Sequence, residues 1–451
     1  MRRYALVLAV LAGLAVAGCG GGSSGGAASS SSTSAAPTQN PNQKVTITYW
    51  NGFSQRELGI MKKAVAGFER THPNIEVNTV GSINDDKITA SIRSGNPPDV
   101  ALSFTTDNTG AFCRSGGFQN LGPYISRDHV EIDQIPPAVQ SYTQYKGNRC
   151  VMPVLADAYG LYYNVDMLKK AGITSPPKTI SELTADAKKL TVRNPDGSIK
   201  VAGFDPYLGF YENAPSHFAP SFNAQWQDAS GKSTVATNPG WTKMANWIKG
   251  LVDWYGNDKL VKFNAGAGDE FSASNAFETG KLAMAIDGEY RTAFLAAEHP
   301  ELKYGTAPFP ADDGQPSMYG GGYTTGNIIG IPKGAKHPAA AWELIKYLAT
   351  DPGAEIALAD GLKNVPTWKP ALASPQLQKT PQYANFLKFF ASPATQTTPI
   401  TPEGSTNQTL LQNYLEKYQA GKGGDLQSGL QSIAKQTDAA AAQANTGSNV
   451  P

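Results

Sequence analysis

The chain contains few cysteine and histidine residues, the two side chains that most often bind zinc in proteins. Its 451 residues include 3 Cys and 5 His, and neither a C-x-x-C nor an H-E-x-x-H spacing occurs. A P-loop is also absent, because Trp226 stands where the first glycine before Gly231-Lys232-Ser233 would be needed. The sequence therefore predicts no metal site and no cofactor.

A strong excess of charge is missing as well. The 38 Lys and Arg and 37 Asp and Glu leave a formal net charge of +1, which becomes −1 without Arg2 and Arg3 near the N-terminus. With no basic stripe for a polyanion, we do not expect a nucleic-acid partner. Beyond the N-terminal region no run reaches the roughly 20 apolar residues that a membrane-spanning helix needs, so we expect the remaining body to be soluble.

The N-terminus has the composition of an export signal. Arg2 and Arg3 precede an apolar run from Ala5 to Ala17, which predicts a signal peptide over residues 1–18. The stretch Val16-Ala17-Gly18-Cys19 resembles a bacterial lipoprotein box, and this resemblance implies that Cys19 is lipidated and becomes the first residue. The alternative is a plain secretory signal in which the cysteine is incidental.

A low-complexity segment follows Cys19. Residues 20–43 carry no charge and no large apolar side chain, so they cannot build a core. We interpret residues 19–43 as a flexible tether between a membrane anchor and a folded body.

Cys113 and Cys150 are the two remaining cysteines, and in an exported protein such a pair can oxidise. We expect a disulfide between them, which would stabilise the fold by about 3 to 4 kcal/mol in the chain-entropy model. A redox or metal-binding pair is the weaker alternative, because the two residues lie far apart in sequence.

Strand and helix signals alternate along the body, as an α/β protein requires. The pattern predicts strands over Val45–Trp50, Ile75–Val80 and Asp99–Phe104, with a helix over Arg56–Arg70 between the first two. Further on, Thr179 to Glu182 has the T-x-x-E form of a capping box that starts a helix. The roughly 410 residues after the tether exceed one ordinary core and indicate two domains.

Five segments in a fixed order resemble the family 1 extracellular solute-binding proteins, the maltose-binding-protein-like group of ABC importers. The segments are Val45–Trp50, the turn and strand at Ser94–Val100, Met152–Asn164 with its continuation to Thr179, Phe277–Gly288, and Gly320–Gly322 with the later Ala339–Glu343.

The resemblance implies the two-lobed periplasmic-binding-protein type II fold, an α/β fold in which each lobe is a doubly wound sheet. The lobes would be discontinuous in sequence: residues 44–155 and 317–359 form the N-terminal lobe, and 156–316 and 360–440 form the C-terminal lobe. We expect a disordered tail over 441–451.

The same resemblance implies a non-enzymatic binding protein on the outer face of the cell membrane. A hinge motion would close the lobes on a small carbohydrate, and the protein, a monomer, would deliver it to the transmembrane subunits of an ABC permease. Because the loops named below hold no pair of basic residues for an anionic ligand, a neutral sugar or oligosaccharide is favoured.

Candidate ligand contacts in the N-terminal half follow predicted strands, where ligands of open α/β sheets bind. Trp50, Phe53 and Ser54 follow the first strand and combine an aromatic face with a hydroxyl, which suits a pyranose. Trp50 could equally be a core residue at the end of the strand. Asp107 follows the third strand, and its alternative role is a helix N-cap.

Asp157 and Tyr159 lie at the expected crossing between the lobes. Asp157 matches a position at which maltose-binding protein has an acidic ligand contact, so the resemblance implies that it accepts hydrogen bonds from the sugar. The alternative is a hinge carboxylate that backbone amides satisfy.

The other candidates come from the second half of the pattern. Tyr211 and Glu212 follow a strand signal of the second lobe, and Tyr290 matches a position where sugar-binding relatives have a stacking aromatic. Gly321 and Gly322 would allow close approach of a backbone, with Tyr323 beside them. Core packing of the tyrosines and a flexible glycine turn are the alternatives.

Two other functional classes remain open at this point. Aromatic and acidic residues in a cleft would also serve a secreted glycoside hydrolase, which needs two carboxyl groups across the scissile bond. A surface adhesin that binds another protein is the third possibility.

Overall fold

The computed structural model describes residues 36–378 and 380–446. The predicted signal peptide, Cys19 and most of the tether lie outside these residues. The described part contains ten strands and seventeen α-helices. The strands are β1 (Val45–Trp50), β2 (Ile75–Val80), β3 (Val100–Ser103), β4 (Met152–Asn164), β5 (Val192–Arg193), β6 (Ile199–Phe204), β7 (Leu282–Gly288), β8 (Tyr304–Ala307), β9 (Thr324–Gly330) and β10 (Val365–Pro366).

The helices follow the strands in an α/β order. They are α1 (Gln55–Thr71), α2 (Asp85–Arg93), α3 (Thr109–Ser115), α4 (Gly122–Arg127), α5 (Pro137–Tyr142), α6 (Val165–Lys170), α7 (Ile180–Leu190), α8 (Pro215–Phe218), α9 (Pro239–Tyr255), α10 (Asn257–Ala265), α11 (Arg291–Glu298), α12 (Pro338–Thr350), α13 (Pro352–Leu362), α14 (Lys369–Leu372), α15 (Pro381–Phe390), α16 (Thr406–Gln419) and α17 (Leu426–Thr446).

One long strand joins two sheets. The first half of β4 pairs with β9 and β10 in a sheet whose order continues through β3 and β1 to β2. The second half of β4 pairs with β7 and β8 in a sheet that continues through β6 to β5. We call the first sheet with its helices lobe 1 and the second lobe 2. The residues near Asp157 in the middle of β4 lie where the chain passes between the lobes.

Local sequence signals account well for the elements. The strands predicted at 45–50 and 75–80 are confirmed, and the helix predicted over 56–70 is α1. Thr179 and Glu182 form the predicted capping box at the start of α7: the Thr179 side chain accepts from the Glu182 amide, and the Glu182 side chain accepts from the Thr179 amide. Capping residues and hydrophobic periodicity are therefore enough to predict these elements without knowledge of tertiary contacts.

The predicted disulfide between Cys113 and Cys150 is present, with the two Cα atoms 5.2 Å apart. It ties α3 to the segment that enters β4, and both cysteines are buried. The disulfide therefore stabilises the part of lobe 1 from which the chain crosses to lobe 2.

The two ends of the body differ from expectation in detail. Residues 36–43, assigned to the tether, contact lobe 1: Arg127 donates to the Pro37 carbonyl, and Asn74 donates to the Asn40 carbonyl over 3.4 Å. At the other end α17 continues through Thr446, whereas we predicted disorder from residue 441; an alanine-rich run favours the helix. Residues 447–451 lie outside the described part.

Among the helices of the described residues, none combines the length and the apolar character that crossing a membrane requires.

Candidate functional site

A cavity of about 710 Å³ lies beside the crossing strands, with walls from both lobes. Lobe 1 contributes the loop after β1 with the start of α1, residue 104 after β3, and two residues of β9. Lobe 2 contributes residue 212, residue 271 in the loop before β7, and α11 from its N-cap at residue 290 to its last residue, 298. The lining residues are Phe53, Ser54, Gln55, Arg56, Glu57, Phe104, Asp157, Tyr159, Glu212, Phe271, Tyr290, Phe294, Ala297, Glu298, Thr325, Asn327 and Asn364.

The lobe 1 wall presents an aromatic pair. The rings of Phe53 and Phe104 meet edge to face with centroids 4.9 Å apart. Phe53 is buried, whereas Phe104 is 46% exposed although it follows a fully buried strand. An apolar ring left open at a strand end, inside a cavity, is a suitable platform for the C–H face of a sugar.

The lobe 2 wall presents a second aromatic group. The Phe271 ring lies 6.1 Å from Tyr290 and 5.9 Å from Phe294, and Phe271 is 57% exposed. Behind these rings, the buried guanidinium of Arg291 lies 5.6 Å from the Phe271 centroid and 5.1 Å from that of Phe294. The Arg291 cation therefore packs against both rings, while Phe271 remains more than half exposed.

Asp157 lies between the two walls and is held by a buried network. The Asn364 side-chain amide donates to Asp157 and also to Glu289 Oε1, 3.1 Å away. Glu289 Oε2 in turn accepts from the Ala158 amide over 2.6 Å. Burial raises the pKa of Asp157 to about 7, and the neighbouring Glu212 adds to the rise. Burial also raises the pKa of Glu289 well above its usual value.

Glu212 connects the cavity to a group of acidic residues. It accepts a hydrogen bond from the Tyr290 hydroxyl, and burial raises its pKa. Carboxylate oxygens of Glu212, Glu270 and Asp287 lie within 4.8 Å of one another, near enough to share a cation. Arg291 already donates to Asp287 over 2.7 Å, so within the described residues a guanidinium supplies positive charge to this group. Burial and the charge of Glu212 raise the pKa of Glu270 to about 9.

Tyr159 closes one end of the cavity together with His217 and Tyr323. Its ring stacks on His217 with centroids 4.0 Å apart and lies 5.7 Å from the Tyr323 ring. Burial lowers the pKa of His217 to about 4, so the imidazole is neutral at physiological pH. Beyond Tyr323 lies a smaller cavity of about 330 Å³.

Half of the predicted ligand contacts line the main cavity, where the fold brings them together from four separate segments. They are Phe53, Ser54, Asp157, Tyr159, Glu212 and Tyr290. Their role as ligand contacts stays a prediction.

Three other predicted contacts lie outside the cavity lining. The Trp50 ring faces the Lys87 ammonium at 5.4 Å. Asp107 is buried in the turn before α3, where burial raises its pKa to about 6. The Tyr211 hydroxyl donates to the carbonyls of residues 267 and 268.

The glycines and the tyrosine beside them lie directly before β9, close to the expected lobe boundary at 316/317. A Cβ on Gly321 would stand 2.4 Å from the carbonyl carbon of Ala394, and one on Gly322 would stand 2.6 Å from the Tyr159 oxygen. Their close approach is therefore to the protein backbone. Tyr323 is buried, shares a hydrogen bond of 3.0 Å with Thr398, and lines the smaller cavity.

Several lining residues were missed from the sequence. Phe104 follows a predicted strand, so the rule that selected Trp50 could have found it. Arg56 lines the cavity as a single base, whereas our expectation concerned only a pair of basic residues. It donates to the Gly361 carbonyl over 3.1 Å and lies 5.6 Å from the Phe294 ring. Asn364 had no local signal, because its partner Asp157 is 207 residues away.

Another cavity, of about 620 Å³, lies between loop 141–147, the segment 226–233 and α17. We regard the 710 Å³ cavity as the candidate site because aromatic rings, hydrogen-bonding side chains and carboxyl groups with raised pKa converge there from both lobes and the crossing strand.

Known binding proteins resemble the chain in sequence. A putative binding protein of Brucella abortus is 26% identical over 298 residues, which cover 64% of this chain and 67% of the relative. The maltotriose-binding protein of Pyrococcus abyssi is 22% identical over 346 residues, 75% of this chain and 70% of the relative.

Solved structures resemble the fold over most of the chain. CpMnBP1 with mannobiose bound superposes with a TM-score of 0.79 at 26% identity and covers 88% of this chain and 100% of its own. The sugar-binding protein MalE of Xanthomonas citri gives a TM-score of 0.73 at 20% identity and covers 89% and 98%. These similarities confirm the two-lobed type II fold.

The family model for "Bacterial extracellular solute-binding protein" matches residues 39–355, which include parts of both lobes and most of the cavity lining. The chain therefore belongs to the bacterial extracellular solute-binding protein family.

Proposed function

We propose that the protein is the substrate-binding component of an ABC importer and captures a neutral sugar or oligosaccharide in the 710 Å³ cavity. The observation that carries this proposal is the pairing of exposed aromatic faces, Phe104 and Phe271, with hydrogen-bonding side chains at the crossing, Asp157 and Asn364. Rings cover the apolar faces of a pyranose, and the polar groups bind its hydroxyls. Relatives named for maltotriose and mannobiose support a saccharide.

Closure of the lobes would bury the sugar and create the shape that a permease recognises. In this scheme Phe53 and Phe104 move with lobe 1, Tyr290 moves with lobe 2, and Asp157 stays at the hinge. The predicted lobe boundaries, at residues 155/156, 316/317 and 359/360, belong to the same proposal. A monomer suits this cycle, because one copy supplies both walls.

Calorimetric titration of the purified body against a panel of saccharides tests the proposal. We expect one sugar to bind at one site per chain, to raise the melting temperature, and to reduce the radius of gyration in solution scattering. If no saccharide of the panel changes any of these quantities, the proposal is wrong.

We propose that the protein is not an enzyme. A glycoside hydrolase also needs two carboxyl groups in its cleft, and this cavity contains several. Chromatography of the sugar after long incubation separates the two functions: a binding protein returns it intact, whereas cleavage products support the hydrolase. Binding to another protein without any response to sugars would instead support an adhesin.

We further propose that Cys19 carries a lipid that holds the protein on the outer face of the cell membrane. The family supports an extracytoplasmic location. Mass spectrometry of the N-terminal peptide from isolated membranes tests the anchor: we expect an acylated Cys19, and we expect Cys19→Ala to release the protein into the medium. An unmodified Cys19 in the membrane fraction would contradict this.

A further inference from the structure

The main cavity contains more acidic than basic side chains. Four carboxyl groups line it, from Glu57, Asp157, Glu212 and Glu298, against the single base Arg56. The Arg56 guanidinium donates to the Gly361 carbonyl and lies over the Phe294 ring. Its hydrogen-bonding capacity is thus partly used at the rim, and its charge acts on the neighbouring Glu57, so one base faces four carboxyl groups.

The layer behind the cavity does not restore the balance. Glu289 and Glu270 add two further carboxyl groups next to Asp157 and Glu212. Arg291 is the base of this layer, and it is paired with Asp287 at 2.7 Å and Glu278 at 3.0 Å. His217, 3.6 Å from Glu212, is neutral because burial lowers its pKa to about 4.

Aromatic rings surround the same carboxyl groups. Tyr290 donates to Glu212, and the Tyr159 and Tyr290 rings meet edge to face with centroids 6.4 Å apart. Phe53, Phe104 and Phe271 complete the walls. Aromatic faces next to carboxylates form the type of site that recognises organic cations, because the ring quadrupole and the carboxylate both attract positive charge.

We propose that the cavity selects a saccharide or glycoside that carries a protonated amine, whose ammonium group contacts Asp157 and Glu212 beside the Tyr159 and Tyr290 rings. The preference rests on the sugar-binding function proposed above and replaces the neutral ligand stated there with a sugar that carries a positive charge. Ring stacking and the Asn364 amide serve the neutral part of the ligand, and the amine supplies the positive charge that favours the ionised forms of Asp157 and Glu212, which burial disfavours.

This arrangement has a consequence for proton binding. Burial raises the pKa of Asp157 to about 7, so a fraction of this carboxyl group is protonated in the free protein at neutral pH. An ammonium group nearby favours the ionised form, so its binding releases protons, whereas a neutral sugar gives no such electrostatic drive. Asp157 and Glu212 face the following titratable and charged groups: Glu57, Arg56, Tyr159, His217, Glu270, Asp287, Glu289, Tyr290, Arg291 and Glu298.

A matched series of disaccharides tests the proposal with the full protein. Cellobiose, chitosan disaccharide and N,N′-diacetylchitobiose differ only in bearing a hydroxyl, an ammonium or an acetamide at the second carbon of each ring, and cellobiose derivatives with the amine at other carbons extend the series. We expect an amine-bearing sugar to bind about ten-fold or more tightly than its hydroxyl counterpart. Titrations in buffers of different ionisation enthalpy, at a pH below the pKa of the free amine so that the amine is already protonated, should show proton release for that sugar alone.

Two other outcomes of this series would contradict one or both proposals. If a neutral saccharide binds and no amine position improves on the corresponding hydroxyl, the amine preference is wrong while the sugar-binding function stands. If neither the neutral sugars nor the amino sugars bind, both proposals fail.

Two isosteric variants locate the effect. Glu212→Gln and Asp157→Asn keep the shape of each side chain and remove its charge, so each should reduce the preference for the amine over the hydroxyl about three-fold or more. Glu131→Gln, which removes an exposed carboxylate outside the cavity, should leave the preference unchanged. Circular dichroism of each variant verifies the fold. An equal loss of affinity for both sugars would assign the two residues to hydroxyl binding and overturn the proposal.

Discussion

The two walls of the main cavity are built differently. The lobe 1 wall is an aromatic pair, Phe53 and Phe104, in edge-to-face contact and partly open to solvent. The hinge and lobe 2 wall is a connected group in which Glu212, Tyr290 and Asp157 are joined to buried charges by hydrogen bonds. Lobe 2 and the hinge therefore define hydrogen-bond geometry before a ligand arrives, whereas the aromatic pair of lobe 1 supplies an apolar surface.

The lobe 2 wall depends on a buried ion pair that lobe 1 does not have at the cavity. Arg291→Met leaves Asp287 and Glu278 without their shared cation and should lower the free energy of unfolding by about 3 to 5 kcal/mol. Chemical denaturation measures the change. Lys303→Met is the control, because its pairing with Asp166 at 3.9 Å is exposed and should contribute less than about 1 kcal/mol. Equal small losses in both variants would contradict this view of the wall.

The hinge residue should dominate binding. Asp157→Ala removes an acceptor in a closed site and leaves Asn364 with one partner fewer, so it should weaken sugar binding by about 1 to 3 kcal/mol. Calorimetry with the sugar identified in the panel measures this, with Glu131→Ala as a control distant from the cavity. An unchanged affinity would assign Asp157 to a purely structural role at the hinge.

A pH dependence should distinguish the walls, because His217 lies only on the lobe 2 side. Its pKa is about 4 in the folded protein and near 6.5 when unfolded, so the unfolded state binds the proton first. The contribution of His217 to the free energy of unfolding is fully present above the pKa of the unfolded state. It is lost as the pH falls towards 4, by at most about 1.4 kcal/mol per pH unit.

Denaturation of the wild type and of His217→Gln between neutral pH and pH ~4.5 isolates this contribution, since the acidic residues of the wall are common to both proteins. We expect the wild type to lose stability relative to the variant as the pH falls. His129→Gln, an exposed histidine, serves as the control. Parallel curves for wild type and His217→Gln would refute the expectation.

The smallest effect should come from the lobe 1 platform. Phe104→Ala should weaken sugar binding by about 1 kcal/mol through loss of stacking and should change the free energy of unfolding by less than about 0.5 kcal/mol, because the ring is 46% exposed. Val261→Ala, at 47% exposure in lobe 2 and outside the cavity lining, is the matched control and should change neither quantity. A stability loss without an affinity loss would make Phe104 a packing residue.

The sequence predicted the local elements well and the site incompletely. The strand at 45–50, the helix after it and the capping box at Thr179 depend on neighbours within a few residues, so pattern and propensity suffice to find them. Trp50 ends β1 and Phe104 directly follows β3 in the same sheet, yet only Phe104 lines the cavity. Position after a strand does not distinguish them, because the orientation of each ring depends on contacts such as that between Trp50 and Lys87.

The amino-acid sequence alone was enough to predict the order of helices and strands, the pairing of Cys113 with Cys150, and the family. These predictions need only local pattern, the fact that two cysteines remain after Cys19, and segments that occur in the family's order. Which aromatic rings face the cavity and which carboxyl groups are buried together became visible only in the folded structure. Asp157, Asn364 and Glu289 come from three distant segments. Their raised pKa values and shared hydrogen bonds arise from burial and proximity, which exist only after the lobes have folded around the crossing strand.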